Sequence, residues 1–380
     1  MLCLGMVLSA VFVFGSARSN AAESTWRGLY RNLLAFPIAD GYDVYDTNLL
    51  RLDAYVTSLD ESVRLRAIMD LSATAGSESA LADGEALFPP ESAFASGTEL
   101  NLYRLYLQVR RRSWVGTAGR QRISWGTGLI LRPSNPFEPP RFLEPFQESH
   151  GVNAFRLMLT PGQSVYMESV VRLDEAREGL QIALATGLRH PERFEIFGNV
   201  VRDTIHDRNQ LGIALDIAKP IHFWFDGAHR YQYGVPHTTY DHETNVFLIE
   251  AGLDHRFDIR EGLTLGIEYL FLSNGDPLGG GNDLNDAVMD YRLLQGPHYG
   301  VGLMSFSLNK TLSTRLEVIW NLVDASVVLR PVVKGWYTDA LRLALGGLVY
   351  VGGRDTEFSR DDLGSARVKA VPFLQTAWSF

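Results

Sequence analysis

The sequence predicts an all-β fold, in which antiparallel strands close into a transmembrane β-barrel. From about residue 48 onward, the 380-residue chain is a succession of segments of roughly ten residues in which apolar and polar side chains alternate, and turn residues end each segment. Beyond the first twenty residues, no apolar run approaches the ~20 residues that a membrane helix needs. The chain is therefore predicted to cross a membrane with strands rather than with helices.

The first 21 residues are predicted to be a cleaved signal peptide. They contain an apolar stretch followed by a small-residue motif, so we expect cleavage after Ala21, leaving 22–380 as the barrel. A buried N-terminal helix is the alternative. The only cysteine, Cys3, lies in this segment, so the mature chain can hold no disulfide and no Cys-ligated metal or haem. The formal net charge is −9, and nothing in this acidic balance indicates a nucleic-acid partner.

The strands are predicted from the two-residue period of hydrophobicity. In 62–71, for example, five apolar side chains share one face, whereas Arg64, Arg66 and Asp70 lie on the other. A soluble β-sandwich could also alternate, but it would have to hide one apolar face of every strand in a single core. Seventeen strands are predicted near 47–58, 61–71, 99–110, 113–124, 152–160, 163–173, 180–189, 192–202, 208–218, 220–231, 244–256, 262–273, 297–309, 311–322, 325–335, 338–351 and 367–380.

The connections predict one further strand. Bacterial single-chain barrels have an even number of strands, with short turns on the periplasmic side and long loops outside. Counting back from a last strand that ends in the periplasm places all long connections on the outer side. With this parity the strand at 47–58 runs downward, so an upward strand must precede it. Residues 26–36 are the only stretch that can supply it, which gives about eighteen strands. Sixteen strands, or a helical plug at 26–36, is the alternative.

Two motifs resemble those of known barrels. The segment 373–380, which ends in Trp378 and Phe380, resembles the assembly signal of Gram-negative outer-membrane barrels. The Gly-Arg-Gln and Trp-Gly element at 119–128 is similar to one found in porin-like barrels, including the alginate-export type. This resemblance implies an outer-membrane location, insertion by the barrel-assembly machinery, and contact with the lipid bilayer and lipopolysaccharide.

The inward faces of the predicted strands carry more basic than acidic side chains. A ring of arginines attracts anions and binds carboxylates or phosphates bidentately, so a basic lumen favours small anionic solutes. The alternative is that the same charges form ion pairs that stiffen the wall. The cluster that we expect to line the pore and to set its selectivity consists of Arg64, Arg66, Arg104, Arg120, Arg122 and Arg156.

The segment 126–151 is predicted to be a long loop that constricts the pore. It contains five prolines, which cannot join a strand ladder, and three phenylalanines, which avoid water. Folding into the barrel mouth satisfies both properties, whereas an external cap or a partner-docking loop is the alternative. The constriction is expected to involve Arg132, Phe137, Arg141, Phe142 and Glu144.

Catalytic, metal and cofactor sites are not predicted. Histidines and acids share the outer loop at 237–243, but no motif with a fixed catalytic mechanism is present. The oxygens of 279–286 could bind Ca²⁺, although the segment lacks the spacing of an EF-hand and a solvated loop is the simpler interpretation. We therefore predict that the protein is not an enzyme.

The sequence favours a porin-like channel for the passive diffusion of small hydrophilic, anionic solutes. The alternative is a structural sheath that encloses partner proteins, such as cytochromes of an electron conduit, or a channel that serves polysaccharide export with a periplasmic partner. A sheath requires a wide lumen, so an inward-folded loop would favour the channel.

Overall fold

A computed structural model describes residues 22–36, 45–75, 97–128, 132–137, 151–174, 179–190, 192–204, 207–218, 221–232, 244–273, 294, 296–353, 356–359 and 370–380. Eighteen strands lie among these residues: β1 (Ala22–Ala35), β2 (Tyr45–Ser58), β3 (Val63–Ala75), β4 (Gly97–Arg111), β5 (Trp114–Gln121), β6 (Val152–Leu159), β7 (Val165–Asp174), β8 (Gly179–His190), β9 (Phe194–Asp203), β10 (Arg208–Ile217), β11 (His222–Gln232), β12 (Thr244–Phe257), β13 (Leu263–Leu272), β14 (His298–Ser307), β15 (Leu312–Asn321), β16 (Val327–Trp336), β17 (Leu341–Val351) and β18 (Ala370–Ser379). Their positions confirm the predicted all-β fold. Within the described ranges, no helix is long and apolar enough to cross a membrane.

The strands form one closed antiparallel sheet. Each strand pairs with its neighbours in sequence, and β1 pairs with both β2 and β18, so the sheet has no edge. The predicted strand at 26–36 is confirmed, because β1 pairs with β2 along its whole length of fourteen residues. A helical plug at this position and a sixteen-stranded barrel were the wrong alternatives.

The connections alternate in length as predicted. The links after the even-numbered strands β2, β4, β6 and β12 are turns of two to five residues, at 59–62, 112–113, 160–164 and 258–262. The links after odd-numbered strands include the long segments 76–96, 122–151 and 273–297. Both chain ends of the barrel, at β1 and β18, lie on the side of the short turns. We call the two rims the short-turn side and the long-loop side.

The outer face of the barrel is apolar. On β8 and β10, large apolar side chains such as Leu184, Leu211 and Ile213 are more than half exposed, and the residues between them are turned into the barrel. A soluble protein rarely exposes so continuous an apolar surface. The surface matches the lipid-facing band of a transmembrane barrel.

The barrel closes at its C-terminal residue. The backbone N–H of Gly28 donates to the carbonyl of Phe380 at 2.8 Å, and the N–H of Phe380 donates to the carbonyl of Gly28 at 3.0 Å. The ring of Phe380 lies over Gly28, where a Cβ atom would approach it to 2.1 Å. Trp378 and Phe380 are both exposed on the outer face, in the phase of Leu374, as predicted.

The interior is packed in two regions rather than open throughout. One cluster lies between β6, β8, β9 and β10 and the β5–β6 connection. A larger cluster covers the inner face of β12 to β18 on the long-loop side, where Leu294 and Phe358 of two loops pack against Leu248, Leu270 and Leu348. The inner face of β2 to β4 carries the polar and charged side chains described below.

Candidate functional site

The β5–β6 connection folds into the barrel. Its apolar side chains Ile123, Trp125 and Phe137 are buried, and they pack against Phe197 on the inner face of β9. The ring of Trp125 meets those of Phe137 and Phe197 edge-on, with centroids 4.9 and 5.6 Å apart. The predicted inward fold of the loop 126–151 is therefore confirmed for 126–128 and 132–137, whereas 122–124, which were predicted to end a strand, belong to the connection because β5 ends at Gln121. We call 122–128 and 132–137 the inward loop.

Amide side chains of three successive strands hold the inward loop. The side-chain N–H groups of Asn199 and Gln210 donate to the carbonyl of Ser134 at 2.8 and 3.0 Å. Gln181 on β8 donates to the carbonyl of Pro136 at 3.4 Å. These bonds satisfy backbone groups that the loop would otherwise bury without partners, which is a requirement for any buried connection.

Asp226 on β11 binds the loop through three hydrogen bonds. Its carboxylate accepts from the backbone N–H of Ser134 at 2.8 Å, from the Ser134 hydroxyl at 3.0 Å and from the backbone N–H of Thr127 at 3.0 Å. Gly126 has a φ of 79°, and a Cβ atom there would lie 2.1 Å from the Asp226 carboxylate. The close approach of the loop to Asp226 therefore requires glycine at this position.

The inward loop also contacts the basic part of the wall. The indole N–H of Trp125 donates to Glu168 at 2.8 Å, and Arg156 binds the same carboxylate bidentately, with both distances 2.8 Å. The other residues predicted for the constriction are only partly described. Arg132 braces the loop itself by donating to Ser124 and to the carbonyl of Gly128. Arg141, Phe142 and Glu144 lie outside the described residues, as do the predicted histidine and Ca²⁺ segments.

In two ion pairs of the inner wall, the arginine is more exposed to water than the acid that it binds. Arg66 and Asp53 form a bidentate pair in which the arginine side chain is 32% exposed and the acid 16%. For Arg156 and Glu168 the values are 29% and 4%. A carboxylate side chain is shorter than that of arginine, so the acid stays near the backbone while the guanidinium reaches toward the lumen. At these two pairs the guanidinium therefore lies nearer the lumen than the carboxylate, whereas the side chains of Arg51 and Asp70 are almost equally buried, at 12% and 10%.

Two further arginines of the predicted cluster lie on the same part of the wall. The guanidinium of Arg64 lies 5.9 Å from the ring centre of Tyr55, and that of Arg104 lies 5.1 Å from that of Tyr103. The pairing of β3 with β4 is shifted beside Arg104 by a β-bulge, which the sequence pattern did not indicate. Arg64, Arg66 and Arg104 thus share the inner face of β3 and β4, as predicted.

Arg120 and Arg122 do not join this group in the way the sequence predicted. Arg122 is exposed just after the end of β5. Arg120 pairs with Leu105 and Asn153, in the alternation phase of the outward-facing Phe155 rather than in the predicted inward phase. The inward positions of β5 are filled by uncharged side chains because the wall here faces the packed inward loop and not water.

A second basic group lies on β15 to β17. Arg315 and Arg330 both bind Glu317, which is 2% exposed, whereas the side chain of Arg315 is 46% exposed. Lys334 is within electrostatic reach of these two arginines and of Arg342. Two cations therefore bind one buried carboxylate on the short-turn half of the inner wall, and Lys334 and Arg342 lie near these cations.

The acids are concentrated on β10 to β13. The imidazole of His222 lies between Asp254 and Asp216, at 3.0 and 3.3 Å. Nearer the long-loop side of the same wall, Glu250 and Glu268 are buried beside Asp226. No group of three His, Cys, Asp or Glu residues in the described part of the chain is arranged to hold a metal ion.

Sequence reasoning missed the residues that hold the loop. Glu168 and Asp226 bind the loop, but nothing in the alternation marks them as ligands of a loop. The amides Gln181, Asn199 and Gln210 are the available signal, since three inward-phase amides on consecutive strands indicate a buried backbone rather than a water-filled lumen.

No protein-family model matches the sequence, and no curated protein matches it. The fold is similar to that of solved porins of the OprD/Occ group. OccK5 (OpdH) of Pseudomonas aeruginosa aligns with a TM-score of 0.61 at 10% identity, over 94% of this chain and 98% of that one. OpdK of P. aeruginosa, solved with vanillate, aligns with a TM-score of 0.60 at 9% identity, over 95% and 98%. The outer-membrane protein OprD of P. aeruginosa aligns with a TM-score of 0.58 at 10% identity, over 94% of each chain. These similarities show the fold, a closed antiparallel barrel of eighteen strands.

Proposed function

We propose that the protein is an outer-membrane channel for the passive diffusion of small hydrophilic solutes, with a preference for anions. The observation that carries this proposal is the layering at two ion pairs of the inner wall, in which Arg66 and Arg156 are more exposed than their partners Asp53 and Glu168. A passing anion meets N–H donors first and carboxylates only at a greater distance.

The geometry of the lumen strengthens this electrostatic preference. The inward loop fills the side of the barrel along β7 to β11. The passage for solutes therefore runs along the inner face of β2 to β4. There, Arg64, Arg66 and Arg104 lie on two adjacent strands. Charges on a low-dielectric wall focus the field in a narrow passage, and screening is incomplete within a Debye length of ~8 Å.

The inward loop argues against a sheath for partner proteins. A barrel that encloses a cytochrome needs its lumen free, whereas here Trp125 and Phe137 occupy it together with the backbone around Ser134. The similarity of 119–128 to an element of porin-like barrels, including the alginate-export type, supports a porin-like channel in general. It does not imply a polysaccharide as the solute.

The remaining parts of the proposal concern delivery and assembly. Residues 1–21 are proposed to be a signal peptide that is removed after secretion, and 22–380 to be the mature barrel. Insertion by the barrel-assembly machinery is proposed to use the terminal strand, since Trp378 and Phe380 present aromatic rings on its outer face. Lipopolysaccharide and the bilayer would then surround the apolar belt. The proposal assigns no enzymatic step.

The test is the ion selectivity of single channels in planar bilayers. Replacing Arg64 and Arg104 by glutamine should lower the chloride-to-potassium permeability ratio about threefold, because each guanidinium within ~8 Å of an ion contributes about 0.5 kcal/mol in water before screening. Arg202→Gln is the matched control, since Arg202 lies in the outward phase of β9 and pairs with Asp207 at 2.6 Å. An unchanged ratio in a correctly folded double variant would refute the anion preference, and the absence of any conductance would refute the channel.

A further inference from the structure

A buried carboxyl group beneath the inward loop has no compensating charge. Glu250 on the inner face of β12 is fully buried, and neither of its carboxyl oxygens has a hydrogen-bond partner. No lysine, arginine or histidine in the described part of the chain forms an ion pair with it. Such a carboxylate could not remain ionised, because burying an unpaired charge costs far more than binding a proton.

The groups that face Glu250 are themselves acidic. Asp226 lies directly opposite on β11, and Glu268 lies next to it on β13, in register with Gly252. Trp224 is a neighbouring side chain with a donor near the pair, since its indole N–H binds Glu268 at 3.2 Å and also acts on Glu250. Three carboxyl groups on adjacent strands thus share one dry region of the wall.

Asp226 is the member of this group whose ionised form is best stabilised by its surroundings. All three of its hydrogen-bond partners are donors, so the carboxyl needs to act as an acceptor only. Arg132 of the inward loop is the cation that acts on it. Since adjacent buried carboxylates cannot all be charged, the proton falls to the pair of Glu250 and Glu268.

We propose that Glu250 and Glu268 form a proton-binding site under the inward loop, and that Glu250 is a neutral carboxylic acid at neutral pH. The site keeps the negative charge on Asp226 alone and so keeps the loop seated. Deprotonation would place a second charge opposite Asp226 and require water to enter the wall beneath the loop. The site would then couple pH to the position of the loop, an effect that rests on the proposed channel function.

The protonated acid is tested by infrared spectroscopy of the purified barrel in D₂O. The wild type should show the carbonyl stretch of a buried carboxylic acid at neutral pD, and Glu250→Gln should lose this band. Glu317→Gln is the matched control, because Glu317 is equally buried but is bound by Arg315 and Arg330 and should contribute no such band. Glu250→Leu serves the same purpose if the glutamine variant does not give a heat-modifiable barrel.

Two results would overturn the proposal. One is a wild-type spectrum without the carboxylic-acid band. This includes a spectrum in which a chelator shifts the carboxylate stretch, which would indicate a bound metal ion in place of the proton. The other is a band that survives in both Glu250 variants. The coupling to the loop is tested separately by conductance, where current noise should rise with pH in the wild type and stay constant in Glu250→Gln. Because the spectrum needs no transport, a barrel with the band but no current would refute the channel and leave the proton site standing.

Discussion

Replacing Asp226 by asparagine should release the inward loop from the wall. Asparagine keeps one acceptor oxygen but turns an N–H₂ group toward donors, so the three hydrogen bonds of Ser134 and Thr127 cannot all be kept. A hydrogen bond to a charged acceptor contributes about 1.5–3 kcal/mol, so losing one or two of them weakens the seating of the loop by about 2–4 kcal/mol. The unseated population should rise by a factor of roughly 30 to 1,000.

The barrel itself should tolerate the change. The strand ladder of β11 with β10 and β12 does not depend on the Asp226 side chain, and Asn199 and Gln210 still hold the loop backbone. We therefore expect Asp226→Asn to remain heat-modifiable, with larger mean conductance and more frequent current fluctuations in planar bilayers. Hydrogen exchange of the Thr127 and Ser134 amides should become faster.

Ser134→Ala provides a graded control. It removes only the hydroxyl bond at 3.0 Å and leaves both backbone donors in place, so its effect should be about 1–2 kcal/mol and smaller than that of Asp226→Asn. Conductance and amide exchange identical to the wild type in Asp226→Asn would refute the idea that this carboxylate holds the loop.

Five other variants test three separate parts of the structure. Gly126→Ala should unseat the inward loop, because the added methyl group meets the Asp226 carboxylate that holds it. Phe137→Ala should weaken loop packing by about 3–5 kcal/mol. Wild-type conductance and amide exchange in either variant would contradict this account. Gly28→Val and deletion of Phe380 should both reduce the amount of heat-modifiable barrel in the membrane while secretion continues, and normal insertion of either would show that the contact between the two is dispensable. Hydrogen bonds from two serine hydroxyls lower the pKa of Asp60, in the exposed turn after β2, from 3.8 to about 2, so its contribution to stability is complete above pH 4 and is lost as the pH falls through 2. The difference in thermal stability between the wild type and Asp60→Asn should shrink only within that range, and a loss between pH 7 and 5 would contradict the assignment.

The wall of the barrel could be predicted from the sequence because it separates two solvents. Lipid on one side and polar surroundings on the other impose a period of two, and the turn residues between segments fix the strand ends. β1 has poor alternation, and it was found only because the parity of long and short links requires an upward strand before β2. A topological rule thus succeeded where local hydrophobicity was ambiguous.

The inward course of the β5–β6 loop could also be predicted, since its prolines and phenylalanines exclude both a strand and an exposed loop. Its seat could not. The carboxylates Glu168 and Asp226 have the same alternation phase and the same residue type as acids that pair with arginines elsewhere on the wall. Only the fold shows that their partners come from 125–134, at separations of 43 to 99 residues in the chain.

The misassigned phase of Arg120 shows which assumption limited the prediction. Polar residues were assigned to the lumen on the premise that the inside of a barrel is water, but the wall beneath the inward loop is a third environment, dry and rich in backbone groups. There the inward positions hold uncharged Gln121 and Gln181, whose N–H₂ groups donate to the carbonyls of Ala154 and Pro136. An amide can satisfy a buried carbonyl without carrying a charge out of water, whereas arginine cannot. Inward amides on consecutive strands therefore indicate where a loop packs, which refines the interpretation of alternation in barrels of this type.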